Sequence, residues 1–351
     1  MLDLYHRQIN YIRVSITDKC NLRCIYCKPS RNFHQIERSQ ILSYEEILRL
    51  IQIAVTCGIT KVRLTGGEPL VRRDVINLVR SISRLDGVKD ISLTTNGILL
   101  NQMAQGLYEA GLHRINVSLD SLNGEKYRNI SGLDRLAQVL QGIEKAKAVG
   151  FSPIKINMVV IRGINDDEVL DFARLSLNYP FHIRFIEFMP IGNNQLWQER
   201  QYFSCGEMKK IITAYRPLIP SASPGGPHHS LPEDGPLPEG GPLPEDGPLP
   251  EDGPARLYEF EGAPGKIGFI SPISNHFCST CNRIRLTADG KLRSCLFSNQ
   301  EIDIKEAMRS GGSDEALRQI FIKGIENKPV GLNLSQFSSL KCNRFMNSIG
   351  G

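Results

Sequence analysis

Nowhere do the 351 residues hold an apolar run approaching the ~20 that a helix needs to cross a bilayer. The opening stretch MLDLYHRQINYIR has no apolar core of signal-peptide length. Neither a membrane span nor a secreted chain is expected; a cytoplasmic one is. Long basic runs are missing too: Arg72-Arg73, expected as a solvated helix start, and Lys209-Lys210 are only pairs, and the formal charge is +5. That mild excess excludes a nucleic-acid stripe and points to small anions. No G-x-G-x-x-G follows any of the strand candidates below, which argues against a dinucleotide-binding sheet. The nine cysteines do not make an even set, and six of them fall in two clusters. In a reducing compartment that favours metal ligation over disulfides.

What is present begins with a strand-then-helix rhythm repeating every ~30 residues through the first ~190, the mark of a parallel sheet. The strand candidates are 11–17, 61–65, 90–95, 114–120, 154–161 and 182–188. Helical stretches separate them, among them SYEEILRLIQIAVTCG, where Ser43 and Glu46 have capping-box spacing and Gly58 is the stop. Six such units predict an α/β fold: an incomplete (β/α)6 TIM-type barrel, with a small C-terminal domain beyond it. Boundaries are expected at 1–215 for the barrel, 216–255 for an insert and 256–351 for the C-terminal region.

Each strand alternates with period two. One phase is apolar: Ile12, Val14 and Ile16, Val62 and Leu64, Ile91 and Leu93, Ile115 and Val117, Ile156 and Met158. In a barrel that phase packs outward against helices. The other phase, with Arg13, Lys61, Arg63, Thr94, Ser118 and Lys155, then lines the lumen. Cations cannot fill a lumen as branched apolar side chains do, because unpaired buried charge is costly. A wide cationic cavity for an anionic ligand is expected, the alternative being edge or solvent-facing positions. The sixth strand fits less well, since Glu187 falls in the phase opposite His182 and Arg184.

Residues ~221–254 change character, with the unit GPLPE(D/G) recurring at period six. Proline removes donors and the acidic groups repel, so an extended, disordered insert is expected. Beyond it, short β elements and turns are expected, with a hairpin turn at Ala288-Asp289-Gly290-Lys291. The stretch DEALRQIFIKGI reads as a helix.

Two cysteine trios carry the chemistry. Cys20, Cys24 and Cys27 are spaced C-x3-C-x2-C directly after the first strand, at the mouth where barrel active sites lie. Soft thiolates in a tight loop select zinc or iron–sulfur. A structural zinc wants four protein ligands, which His34 would complete. An iron–sulfur cubane on three thiolates instead leaves one iron open to a cofactor. The second trio, Cys278, Cys281 and Cys295, is spaced C-x2-C-x13-C, again with a histidine nearby, His276, and zinc is again the alternative.

The first trio, with Tyr26 before its last cysteine and Thr65-Gly66-Gly67-Glu68-Pro69 after the second strand, resembles the radical S-adenosylmethionine (SAM) superfamily. Within it, CNLRCIYC, KVRLTGGEPLVRRD, LTTNG, INVSLDS, KINMVVIRGIND, RFIEFMPIG, GFISPISNHFC, FCSTCNRIRLTADGKLRSCLF and Gly350-Gly351 together resemble the GTP 3′,8-cyclase family of molybdenum cofactor biosynthesis. Departures are the repeat insert and Lys28, where methionine is expected. The resemblance implies two [4Fe-4S] clusters and SAM as cofactors. The first cluster, on Cys20, Cys24 and Cys27, would bind SAM at its open iron, with Tyr26, Gly67, Ser118 and Met189 as SAM contacts. The second, on Cys278, Cys281 and Cys295, would hold the guanine of GTP. Arg13, Arg63, Thr94, Lys155, Arg283, Ile284 and Arg285 match GTP-contacting positions. Gly350 and Gly351 would reach into the active site, beside Arg283 and Arg285. A 5′-deoxyadenosyl radical would take hydrogen from ribose C3′, and that carbon would attack guanine C8 to give (8S)-3′,8-cyclo-7,8-dihydroguanosine 5′-triphosphate. Implied partners are GTP, a downstream cyclic pyranopterin monophosphate synthase, an external electron donor and, as an assembly to test for, a homodimer. Nucleic acid and membrane are not expected. Other radical SAM enzymes with an auxiliary cluster, such as peptide-maturing ones, are the rival reading; a zinc module is a second.

Overall fold

The computed structural model describes residues 1–27, 35–191, 197–221, 254–331, 342 and 344–350. Lys28, His34, Gly351 and all but the margins of the repeat insert lie outside the described residues.

Six β/α units follow one another. Their strands are β1 (Tyr11–Ser15), β2 (Lys61–Thr65), β3 (Asp90–Thr95), β4 (Arg114–Ser118), β5 (Lys155–Val160) and β6 (His182–Glu187). The helices are α1 (Tyr44–Thr56), α2 (Val75–Ser83), α3 (Leu100–Glu109), the pair α4 (Gly124–Ser131) and α5 (Leu136–Val149), and α6 (Val169–Asn178). All six strands overlap the expected segments. The α1 start is the expected capping box: Ser43 Oγ accepts from the Glu46 N–H, and Glu46 accepts from the Ser43 N–H. Its end is marked by Gly58 at φ +91°, a left-handed position that suits a residue without Cβ.

After α7 (Cys205–Tyr215) come β7 (Leu218–Pro220), β8 (Arg256–Phe260), β9 (Lys266–Ile270), β10 (Arg283–Leu286), β11 (Lys291–Arg293) and β12 (Ile302–Asp303). Three helices close the described chain: α8 (Ile304–Arg309), α9 (Asp314–Glu326) and α10 (Met346–Ile349). The strands form one sheet in the order β12-β11-β10-β1-β2-β3-β4-β5-β6-β9-β8-β7. The C-terminal region thus adds strands to both edges of the six-strand unit. β10 lies parallel to β1 and β9 parallel to β6; antiparallel strands flank each. The expected hairpin turn joins β10 to β11, with Gly290 at φ +74°.

The period-two reading decides which side is core. Ile12, Val14, Val62, Leu64, Ile91, Leu93, Ile115, Val117, Ile156 and Met158 are each 1% exposed or less and sit in one apolar cluster with the helices. Burying each such side chain stabilises by ~1.5–3 kcal/mol. A one-residue slip would exchange this set for the polar phase, so the register is pinned. Pairing then aligns Arg285 with Arg13 and Arg13 with Arg63, three guanidiniums in one row on the inner face.

Two local readings change. Arg72, expected as a solvated helix start, is half-buried: it donates to the carbonyls of Ile16 and Leu42 and lies 4.1 Å from the Tyr44 ring centroid. Glu187, which broke the phase of β6, is fully buried and accepts from the N–H groups of Cys205, Ile273 and Ser274 and from the Tyr202 and Ser274 hydroxyls. It ties β6 to α7 and to the loop that leads into Cys278.

Candidate active site

All six clustered cysteines line one cavity of about 290 Å³. The trios enter from opposite ends of the strands. Cys20, Cys24 and Cys27 follow the C-terminal end of β1. Cys278 and Cys281 precede β10, whose first residue, Arg283, pairs with Tyr11 at the start of β1. Between the ends run the five residues of β1, about 16 Å at ~3.3 Å per residue. Among the described residues no three His, Cys, Asp or Glu side chains converge on a single-ion position. In a four-iron cluster each thiolate takes a different iron, so its ligands need not converge.

At the first trio, glycine lets two backbones touch. A Cβ on Gly67 would stand 2.2 Å from Lys19 O, and one on Gly66 would stand 2.3 Å from Thr17 O. The Gly67 N–H donates to Thr17 O and the Glu68 N–H to Lys19 O, which fastens the GGEP turn to the cysteine loop. Buried Glu68 accepts from the Asn96 and Leu70 N–H groups and the Thr95 hydroxyl, joining the ends of β2 and β3. Burial outweighs these bonds and raises its pKa to about 7. Asn96 donates to Asn21 Oδ1 and, at 3.8 Å, to Cys20 Sγ. The Tyr26 hydroxyl donates to Asp120 Oδ2 at 2.6 Å. Burial, then the Asp120 charge, pushes Tyr26 well above the usual phenol range. Burial raises Asp120 to about 6. Ser118, Met189 and Gly67 all line the cavity beside these groups.

At the second trio the walls are cationic. Arg13, Arg63, Arg283 and Arg285 line the cavity, with Arg184 and Lys328. Burial, then Arg285 and Arg63, lowers the Arg13 pKa well below its ordinary value. Arg285, buried and facing Arg283, falls to about 10. Guanidiniums forced together out of water call for an anion among them. Burial raises the Cys281 thiol, but Arg283 and Lys328 outweigh it and bring it to about 6. Thr94 Oγ1 and Asn157 Oδ1 are buried at the cavity wall without a hydrogen-bond partner among the described residues.

Most of the expected site residues meet here, but not all in the same way. Lys155 is buried in the polar phase, paired in register with Asn116 and His182, but is not part of the cavity wall. Ile284 is fully buried in the apolar cluster and is not part of the cavity wall. The Gly350 carbonyl accepts from Arg285, and a Cβ there would stand 2.5 Å from Thr65 Cγ2. Sequence reasoning missed Glu68, Asn96, Asp120, Arg184 and Lys328 as site residues. Arg184 shares the inward phase of β6, which is the signal that would have found it.

The fold has solved counterparts. A Streptococcus suis SuiB structure bound to S-adenosylmethionine superposes with a TM-score of 0.62, covering 97% of this chain and 76% of that one at 12% identity. At that identity the likeness speaks for the fold alone. Residues 14–176 match the radical SAM superfamily profile, and residues 241–334 match Molybdenum Cofactor Synthesis C. A GTP 3′,8-cyclase of Thermodesulfovibrio yellowstonii is 44% identical over 353 residues, covering all of both chains. One from Moorella thermoacetica is 44% identical over 351 residues, again covering all of both. The chain belongs to the GTP 3′,8-cyclase family of the radical SAM superfamily.

Proposed function

We infer that this chain is a GTP 3′,8-cyclase, a lyase that converts GTP to (8S)-3′,8-cyclo-7,8-dihydroguanosine 5′-triphosphate in the first step of molybdenum cofactor biosynthesis. The observation that carries this is the single cavity bearing both cysteine trios with a row of arginines between them. The superfamily implies a 4Fe-4S cluster with SAM; the second cluster is our proposal.

Cys20, Cys24 and Cys27 would hold the first cluster, and the donor set fits: three thiols line one cavity, and among the described residues no fourth ligand converges with them. SAM would lie beside it, where the Gly66-Gly67 turn lines the cavity and, having no Cβ, lets the cysteine loop seat against it. When bound, the pair supplies a 5′-deoxyadenosyl radical, the hard chemistry being the cofactor's. Tyr26, Ser118 and Met189 would line the SAM side. Cys278, Cys281 and Cys295 would hold the second cluster, with Arg283 and Lys328 stabilising the thiolate state at Cys281.

GTP would lie between the two. Its base would sit toward the second trio and its triphosphate against Arg13, Arg63, Arg285 and Arg283, with Lys155 adding its charge from outside the cavity wall. Guanidinium forks suit phosphate oxygens, and three phosphates relieve the mutual repulsion that burial imposes on this row. Thr94, whose hydroxyl has no partner among the described residues, would offer a polar wall to the ribose. Gly350 and Gly351 would close the site against Arg285. The barrel segment 1–215 would carry the SAM contacts together with Arg13, Arg63, Thr94 and Lys155 of the GTP set, and segment 256–351 would add the second trio, Arg283 and Arg285. The family resemblance further implies an external electron donor, a downstream cyclic pyranopterin monophosphate synthase and a cytoplasmic setting. No helix among the described residues is long and apolar enough to cross a membrane.

The test is anaerobic reconstitution with iron and sulfide, then incubation with GTP, SAM and a reductant. The cyclised nucleotide is expected. 5′-Deoxyadenosine without it, or zinc at either trio, overturns the reading.

A further inference from the structure

Arg7 lies in the loop before β1, outside the cavity wall, and is only 6% exposed. Among the described residues its guanidinium makes five hydrogen bonds. Nε donates to Asp3 Oδ2 at 2.6 Å; Nη1 donates to Cys278 O at 2.8 Å and Val330 O at 3.3 Å; Nη2 donates to Lys328 O at 3.2 Å and Pro329 O at 2.8 Å. Asp3 also accepts from the N–H groups of Tyr5 and Arg7, which folds the loop around the ion pair. A planar fork with five N–H donors can gather that many oxygens; an ammonium with three cannot.

The carbonyls it gathers belong to two segments far along the chain. One is Cys278 itself. The other is 328–330, just past α9. Lys328 is 3% exposed, and its Nζ donates to Arg283 O and Ser294 O, both at 2.7 Å. Arg283 is two residues past Cys281, and Ser294 immediately precedes Cys295. One guanidinium therefore ties directly to one member of the second trio and, through Lys328, to the flanks of the other two.

We propose that Arg7 is the positioning residue of the second cysteine trio, fixing Cys278 directly and Cys281 and Cys295 through Lys328 at the spacing a four-iron cluster requires. This rests on the reading that the trio holds such a cluster. Arg7 does not touch the cavity; it acts through the backbone that presents the thiols.

Arg7→Met keeps the stem and removes the fork. After anaerobic reconstitution the wild-type chain is expected to hold about eight irons and R7M about four, the two-cluster and one-cluster contents. R7M should still cleave SAM to 5′-deoxyadenosine at the first trio. Arg7→Lys should fall with R7M, because charge without the fork does not gather the carbonyls. In a background with Cys20, Cys24 and Cys27 all changed to Ser, iron reads the second trio alone. R7M should there remove nearly all of it and alter the electron paramagnetic resonance spectrum of whatever remains. A role in general stability would instead lower iron at both trios together. Should R7M not fold, Asp3→Asn, which unseats the fork, carries the same test: selective loss at the second trio supports the inference, and no loss overturns it. R7M with wild-type iron and spectrum, or equal loss at both trios, overturns it. If the wild type itself holds only four irons, the second-cluster reading falls and the inference with it. If the wild type and R7M both hold eight, the inference alone falls.

Discussion

Gly67→Ala should disable the SAM half of the site while leaving the barrel folded. The new Cβ would stand 2.2 Å from Lys19 O, 2.6 Å from Lys19 C and 2.7 Å from Asp18 O, all backbone. Real Cβ contacts begin near 3.0 Å, so the cysteine loop and the GGEP turn must part by most of an ångström. Two hydrogen bonds cross that seam, Gly67 N–H to Thr17 O at 2.7 Å and Glu68 N–H to Lys19 O at 2.8 Å. Opening both costs about 1 kcal/mol each. Residual crowding adds about 1–3 kcal/mol. Where loop and turn part in the free variant and SAM needs them closed, closing them again costs about 3 kcal/mol of the binding free energy, a roughly 150-fold weaker SAM affinity. Equilibrium dialysis of the reconstituted variant measures it, with Gly124→Ala as control, since a Cβ there meets nothing within 4 Å. A G67A variant that binds SAM as the wild type does, with full iron at the first trio, refutes the close-approach argument.

Arg13→Met should weaken GTP binding by roughly 10- to 150-fold, the worth of a hydrogen bond to a charged group. Isothermal titration calorimetry reads the loss, and wild-type affinity in R13M would contradict the placing of the phosphates. Glu187→Gln should lower the melting temperature by several degrees, since an amide N–H₂ cannot accept from the donors that converge there. Thermal denaturation checks it, and an unchanged midpoint would contradict the anchoring role. Glu68 has its folded-state pKa raised by burial from 4.5 to about 7. Its contribution is therefore intact below pH 4.5 and lost as pH rises through about 7. Urea midpoints across that window should fall for the wild type, and E68Q should lack that component.

How far the sequence reveals this molecule depends on the reach of each interaction. The six parallel strands were legible because alternation is local, and burial of Ile12, Val62 or Ile115 follows from it directly. Arg13 and Arg63 were legible as lumen residues for the same reason. β9 and β10 read only as short β elements, because nothing in GKIGFI or RIRL names the partner strands β6 and β1. Glu187 looked like a phase error; its five donors come from segments up to 87 residues away. Arg7 and Lys328 carried no motif at all, and Arg7 meets Cys278 across 271 positions. Arg72 was misread because an arginine pair at a helix start is usually solvated, and the carbonyls of Ile16 and Leu42 that hold it lie 56 and 30 residues upstream.

The placement of β9 and β10 has a consequence for biosynthesis. Both margins of the half-barrel wait for strands made late: β6 for residues 266–270 and β1 for residues 283–286. A nascent chain that has completed its first ~190 residues therefore presents two bare strand margins at once, the condition under which sheets join neighbouring chains. Folding must also bring together residues some 270 positions apart, which slows it. During translation this chain is expected to lean on chaperones until about residue 290 has left the ribosome, and fragments ending short of that point should aggregate.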